Sequence, residues 1–181
     1  MKKLKIAIGK YLLHKELRKI TRNIKACSLD EAKTIALVYD ATSRQDYELV
    51  KKFLLYFKEK SKKVLAIGFI NSKDPNQLLK TQLELRFFTK KDLNWRFKPN
   101  CLEVKNFIDT EFDILMDLCV DYCFPVKYIC GLSKAKFKIG PAENDSVLYY
   151  DMIIDVGDRK TLEYYLENMK RYVNMVNRPL A

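Results

Sequence analysis

The stretch Phe112 to Gly140, FDILMDLCVDYCFPVKYICGLSKAKFKIG, constrains the fold more than any other part of the chain. Phe112, Ile114, Leu115, Met116 and Leu118 form a nearly continuous apolar run broken only by Asp113 and Asp117, the pattern of a strand buried on both faces of a parallel sheet. A crossover helix should follow. Pro125 is tolerated in its first turn, Val126, Ile129 and Leu132 recur at helical spacing, and Lys136 to Ile139 alternates into a second strand that Gly140-Pro141 ends. The stretch therefore predicts a β-α-β unit.

The rest of the chain repeats that logic. Thr34 to Asp40 and Val64 to Ile70 read as buried strands, and between them Tyr47, Val50, Phe53, Leu54 and Phe57 give a helix capped by Thr42 or Ser43 and running to about Ser61. Strand, helix and strand within some forty residues mean a parallel pair. A loop with Pro75, a short helix over Gln77 to Thr81 and a strand over Leu85 to Phe88 are expected next. Leu148 to Asp155 predicts a last strand, Gly157-Asp158 turns the chain, and Leu162, Tyr165, Leu166, Met169, Tyr172, Val173 and Val176 form the buried stripe of a closing helix ended by Arg178-Pro179. The expected fold is α/β: a three-layer, Rossmann-like, mainly parallel sheet of five or six strands with helices on both faces and a basic N-terminal helix. Residues 1–28 read as that arm and residues 29–181 as one α/β domain.

Charge separates the arm from the body. Residues 1–28 hold nine Lys or Arg against the single acid Glu16, a net +8, whereas the remainder holds 25 basic and 22 acidic residues, a net +3. Such asymmetry is expected where one end of a chain meets a polyanion. Ile6, Leu13, Leu17, Ile20 and Ile24 fall near one helical face, while Lys15, Arg18, Lys19, Arg22 and Lys25 spread over the rest, so the arm reads as an amphipathic basic helix. Its apolar stripe either docks on the body or meets a membrane surface or a partner. No apolar segment approaches the roughly 20 residues of a membrane helix, and Lys10, His14, Lys15 and Glu16 interrupt any signal-peptide core. A cytoplasmic protein is expected.

Three features bear on chemistry. Asp40, Asp117 and Asp155 each end a predicted strand, where ligands of open α/β sheets gather, so they are candidate bases or Mg²⁺ ligands; an aspartate there is equally a turn former and helix cap. In Phe88 to Pro99 aromatics and cations interleave without helical or strand period, and Lys90, Lys91, Trp95 and Arg96 form a candidate stacking surface for nucleic acid; the alternative is a tryptophan lid over a core edge. Cys119 and Cys123, four apart, would share a helix face, yet with one histidine and no Cys-x-x-Cys pair the five cysteines read as reduced cytosolic thiols rather than a metal site. None of the five glycines makes a phosphate-binding loop, and His14 lies far in sequence from the strand ends. No cofactor and no metal are expected.

Two resemblances attach to quoted residues. FDILMDL followed by a helix ending GLSKAKFKIG resembles, over about 30 residues, a passage in the N-terminal half of lipopolysaccharide heptosyltransferases, which read "xDLxIDL" and "LSGAKxRIG" there. That resemblance implies a glycosyltransferase-like domain binding a sugar or nucleotide; Asp40 alone falls near the family's catalytic acid, and its "RLGDxGD" is absent. The whole chain is similar to an uncharacterised family of small bacterial proteins, through IALVYDAT, VLAIGFI, FFTKKDLNW, FDILMDL, LSKAKFKIGP and YDMIIDV. That similarity implies an α/β body with a variable arm and no known activity. The functional expectation is a non-enzymatic binding protein whose anionic partner is RNA or a ribonucleoprotein. The alternatives are a sugar or nucleotide binder at the strand edge and a peripheral binder of anionic membrane.

Overall fold

The computed structural model describes residues 2–72 and 84–176, with side chains from Leu4 onward. The Pro75 loop, the helix expected over Gln77 to Thr81 and the stop at Arg178-Pro179 lie outside the described residues. Six strands, β1 Thr34–Asp40, β2 Lys63–Ile70, β3 Leu85–Thr89, β4 Ile114–Asp117, β5 Phe137–Pro141 and β6 Met152–Ile154, form one sheet in the order β3-β2-β1-β4-β5-β6. Every neighbouring pair is parallel. The chain works outward from β1 to one edge, then restarts at β4 on the other side of β1, as in doubly wound sheets.

Alternation along the strands feeds two cores. Ile35, Leu37 and Tyr39 point to one face and pack with helices α2, Arg44–Glu59, and α5, Leu162–Val173. Ala36 and Val38 point to the other, beneath α1, Lys2–Leu17, α3, Leu102–Asp109, and α4, Phe124–Leu132. The protein is thus a three-layer α/β fold with a Rossmann-like parallel sheet. The β-α-β unit expected from Phe112 to Gly140 is β4-α4-β5, and Ser43, not Thr42, caps α2 by accepting the Asp46 N–H. Among the described residues no helix is long and apolar enough to cross a membrane.

Helix α1 docks on the body. It runs alongside α4, with Leu13 buried and Ile6 and Leu17 packed on the same core. Gly9 permits the approach: a Cβ there would stand 2.6 Å from the Arg96 carbonyl oxygen and 2.9 Å from the Phe124 ring. The amphipathic expectation needs correction, because Leu4 and Tyr11 are exposed on the outer side and apolar residues therefore occupy both faces.

Two further departures have physical causes. The helix stops at Leu17, leaving Ile20 and Ile24 outside it, because the following segment is stretched toward the amino end of the sheet. There the Arg22 guanidinium pairs with Asp151 and donates to the carbonyls of Ala135 and Lys136, while the Lys25 N–H donates to Lys136. The last strand is three residues rather than eight, since Tyr149 and Tyr150 turn inward against α4 after a short 3₁₀ turn at Ser146–Leu148. Lys138 is buried, because β5 is flanked by β4 and β6 and its side chain reaches α4.

The amino ends of β1, β4 and β5 are tied by Asp113. Its Oδ2 accepts from the N–H groups of Lys33 and Thr34 and the Thr34 hydroxyl, and Lys136 Nζ stands 3.0 Å from Oδ1. Burial pushes the carboxyl up, but Lys136 and these donors outweigh it and hold it at about 2, below the ordinary 3.8. A carboxyl depressed in the folded state contributes stability that is present above the ordinary value and lost as pH falls toward 2. Asp113→Asn should therefore be less stable than wild type in denaturant titrations at pH 6, and the gap should close near pH 2.

Candidate functional site

The carboxyl ends of the central strands open into a crevice where the strand order reverses, between β1 and β4. One part, about 290 Å³, is lined by Asp40, Ser43, Asp46, Asp121 and Tyr122; the other, about 620 Å³, by Lys10, Asp121, Tyr122, Glu143, Asn144 and Lys160. The two share the loop between β4 and α4. Burial, with Asp40 and Asp121 nearby, pushes the Asp46 carboxyl up.

The three strand-end aspartates take different places. Asp40 lines the smaller part and accepts the Thr42 N–H at 2.9 Å, so it forms the turn into α2 while facing the crevice. Asp155 accepts the Gly157 N–H at 2.8 Å, lies beyond β5 and β6, and lines neither part. Asp117, in register with Val38 of β1, is fully buried beneath the crevice. Its Oδ1 accepts the Cys119 N–H at 2.8 Å, and its Oδ2 accepts from Lys127 Nζ at 2.9 Å and from the Tyr150 hydroxyl. Both oxygens are held by protein donors in a fully buried position, so Asp117 is a floor rather than an open ligand.

Lys127 organises that floor. Its ammonium donates to Asp117 and to the Tyr150 oxygen, each at 2.9 Å, and stands 3.2 Å from Glu143 Oε2. Burial alone would lower its pKa, yet Asp117 and Glu143 outweigh burial and raise it. Burial pushes the Glu143 carboxyl up against the pull of Lys127. Tyr150 in turn fills the space over Gly140, where a Cβ would meet its ring at 2.3 Å. Lys138 is a second buried lysine with a poorer environment: its Nζ donates to the Gly131 carbonyl at 2.8 Å. Burial, then the Arg22 charge, lowers it to about 7.

Cys123 occupies the N-cap position of α4 without a side-chain capping bond, whereas Cys119 lies before that helix, so the two share no helical face. All five cysteines are free thiols, and among the described residues no group of three or more His, Cys, Asp or Glu is placed to hold a metal ion.

The nucleic-acid candidates divide by location. Asn94 builds a tight hairpin: its N–H donates to Lys98 O, its Oδ1 accepts the N–H groups of Arg96 and Lys98, and Phe97 takes φ +61. Trp95 at the tip is 59% exposed, with the Arg96 guanidinium 5.0 Å from its ring, so the ring is not a lid. The hairpin is pinned to α1 through Gly9 and through Lys98, whose Nζ meets Glu16 at 3.0 Å. Lys90 and Lys91 are exposed on a 3₁₀ turn capped by Thr89, and Lys15, Arg18 and Lys19 are exposed on and just beyond α1. Arg22 is spent on Asp151 and backbone carbonyls, and Lys25 lies at the amino end of the sheet beside Asp113 and Lys136. Lys10, Tyr122, Glu143 and Lys160 escaped the sequence reading, because only the closed sheet brings their four segments together.

An open, all-parallel, doubly wound sheet with a crevice at the reversal of strand order defines the class: a Rossmann-like α/β protein. The chain belongs to a family of unknown function (DUF6913), whose sequence model matches residues 5–176. No curated protein and no solved structure matches it.

Removing one partner of a buried ion pair leaves an uncompensated charge, so Lys127→Met should destabilise by about 3–5 kcal/mol in denaturant unfolding. Adding Asp117→Asn should recover part of that loss. Lys138 behaves oppositely. With its folded pKa at about 7 and the ordinary value at 10.5, the unfolded chain binds more protons in between, so stability rises with pH across that window. Lys138→Met should be more stable than wild type at pH 7, and its advantage should shrink as pH rises toward 10.

Proposed function

We propose that the chain is a non-enzymatic binding protein that holds single-stranded RNA against the surface formed by α1 and the Asn94 hairpin. The observation that carries this reading is Trp95: an exposed indole on a rigid tip, flanked by the Arg96 guanidinium and fixed to a basic helix. An exposed aromatic is a platform for a base, and the cations beside it take the phosphates on either side. Lys15, Arg18 and Lys19 supply charge along α1, and Lys90, Lys91 and Arg96 supply it at the hairpin. Lys98 contributes less, being neutralised by Glu16. The concentration of +8 of the net +11 charge in residues 1–28 supports a polyanionic partner over a neutral one.

Trp95 is the sole tryptophan, so its fluorescence reports this tip alone. Single-stranded RNA should quench it, with log affinity falling linearly in log salt by about 0.7 per phosphate engaged. Trp95→Ala should weaken binding by about 1–3 kcal/mol and leave that slope unchanged, whereas neutralising Lys15, Arg18 and Lys19 should flatten it. Quenching by anionic vesicles and not by RNA would overturn the reading in favour of a membrane surface. Unchanged emission with either would overturn both.

A further inference from the structure

The crevice at the strand ends is lined by residues other than those of the basic surface. Its larger part, about 620 Å³, falls within the size of pockets that enclose small ligands, and it stands where open parallel sheets place them. Two cations enter it from distant segments, Lys10 from α1 and Lys160 from the loop before α5. Among the described residues neither ammonium lies within 4.0 Å of a carboxylate, although Lys58, Lys98, Lys127, Lys134 and Lys136 all do. Lys10 instead stands 4.1 Å over the Tyr122 ring, which fixes an aromatic wall beside the positive charge.

The opposite lining is made of acceptors. Glu143 is held from below by Lys127, whose ammonium stands 3.2 Å from Oε2, and both of its carboxylate oxygens are buried at the base of this lining. Asp121 and Asn144 stand in the same lining. Carboxylates among the lysines repel a chain of phosphates, so the crevice is unsuited to RNA. It suits a small molecule with one anionic end and one end rich in hydroxyl donors. The adjoining 290 Å³, with Ser43, Asp40 and Asp46, leaves room for a further ring.

We propose that the crevice binds a phosphorylated sugar, free or as part of a mononucleotide, with its phosphate between Lys10 and Lys160 and its hydroxyls on Asn144 and Asp121. The experiment is calorimetry and thermal unfolding of the full chain with ribose 5-phosphate, glucose 6-phosphate and AMP, and with ribose and inorganic phosphate as the separate halves. At least one phosphorylated sugar should raise the melting temperature with concentration and bind about tenfold or more tighter than either half. Lys160→Gln, on an exposed loop and so compatible with folding, should weaken that binding by roughly ten- to a hundredfold, as expected for losing a charge-assisted contact. Lys10→Gln should do the same, and RNA affinity should be unchanged in Lys160→Gln. AMP exceeding ribose 5-phosphate would support the site and place a base in the smaller part; equal binding would support it as a sugar phosphate site. No shift with any probe at about 10 mM would overturn the proposal. So would inorganic phosphate binding as tightly as the sugar phosphates, or affinity indifferent to both lysine substitutions.

Discussion

The buried ammonium of Lys127 is the interaction on which the centre of this protein depends. It joins α4 to the end of β4 through Asp117, to the segment before β6 through Tyr150, and to the loop after β5 through Glu143. Desolvating such charges is costly, and apolar side chains of the same volume would stabilise as well or better. What the charges add is geometry. A lysine with three oxygens around it fixes the relative height of three segments, where a leucine would tolerate sliding. The loop that carries Glu143 and Asn144 is therefore seated on a rigid base.

Helix α1 carries that order outward. Gly9 lets it approach Phe124 and the Arg96 backbone, Leu13 closes the core, and Glu16 meets both Lys98 and the Tyr128 hydroxyl. Burying Leu13 fully stabilises docking by about 1.5–3 kcal/mol, more than a half-exposed pair such as Lys98 with Glu16 supplies. Apolar contact thus holds the helix, and the ion pair sets its register. One helix in this way serves two surfaces: Lys10 reaches the crevice, while Lys15 stays on the basic side with the hairpin.

The elements legible in the sequence are those whose signal is local. β1, β2 and β4 show as apolar runs because both faces are covered, and α2 and α5 show as stripes because one face is. Helix α3 went unread although Val104, Phe107 and Ile108 have helical spacing, since it is eight residues long and Cys101 provides no side-chain cap. The end of α1 was hidden because Arg22 stops the helix through partners more than a hundred residues away. Asp117 looked like its neighbours at strand ends, and only the position of Lys127 and Tyr150 distinguishes a floor from a ligand.

The seat of α1 also orders events during synthesis. The helix is made before all six strands, yet it rests on α4, and Leu17 and His14 meet Gly131 and Tyr149. The first three strands can pair with one another while the helix still has nothing to cover it. At roughly 5–20 residues per second, the hundred or so residues separating α1 from α4 represent a wait of about 5–20 s. Through that interval Ile6, Leu13 and Leu17 face water, and the many lysines and arginines around them keep the nascent segment soluble and apart from its copies. The positive charge of this helix is thus also a gatekeeper for its own late docking.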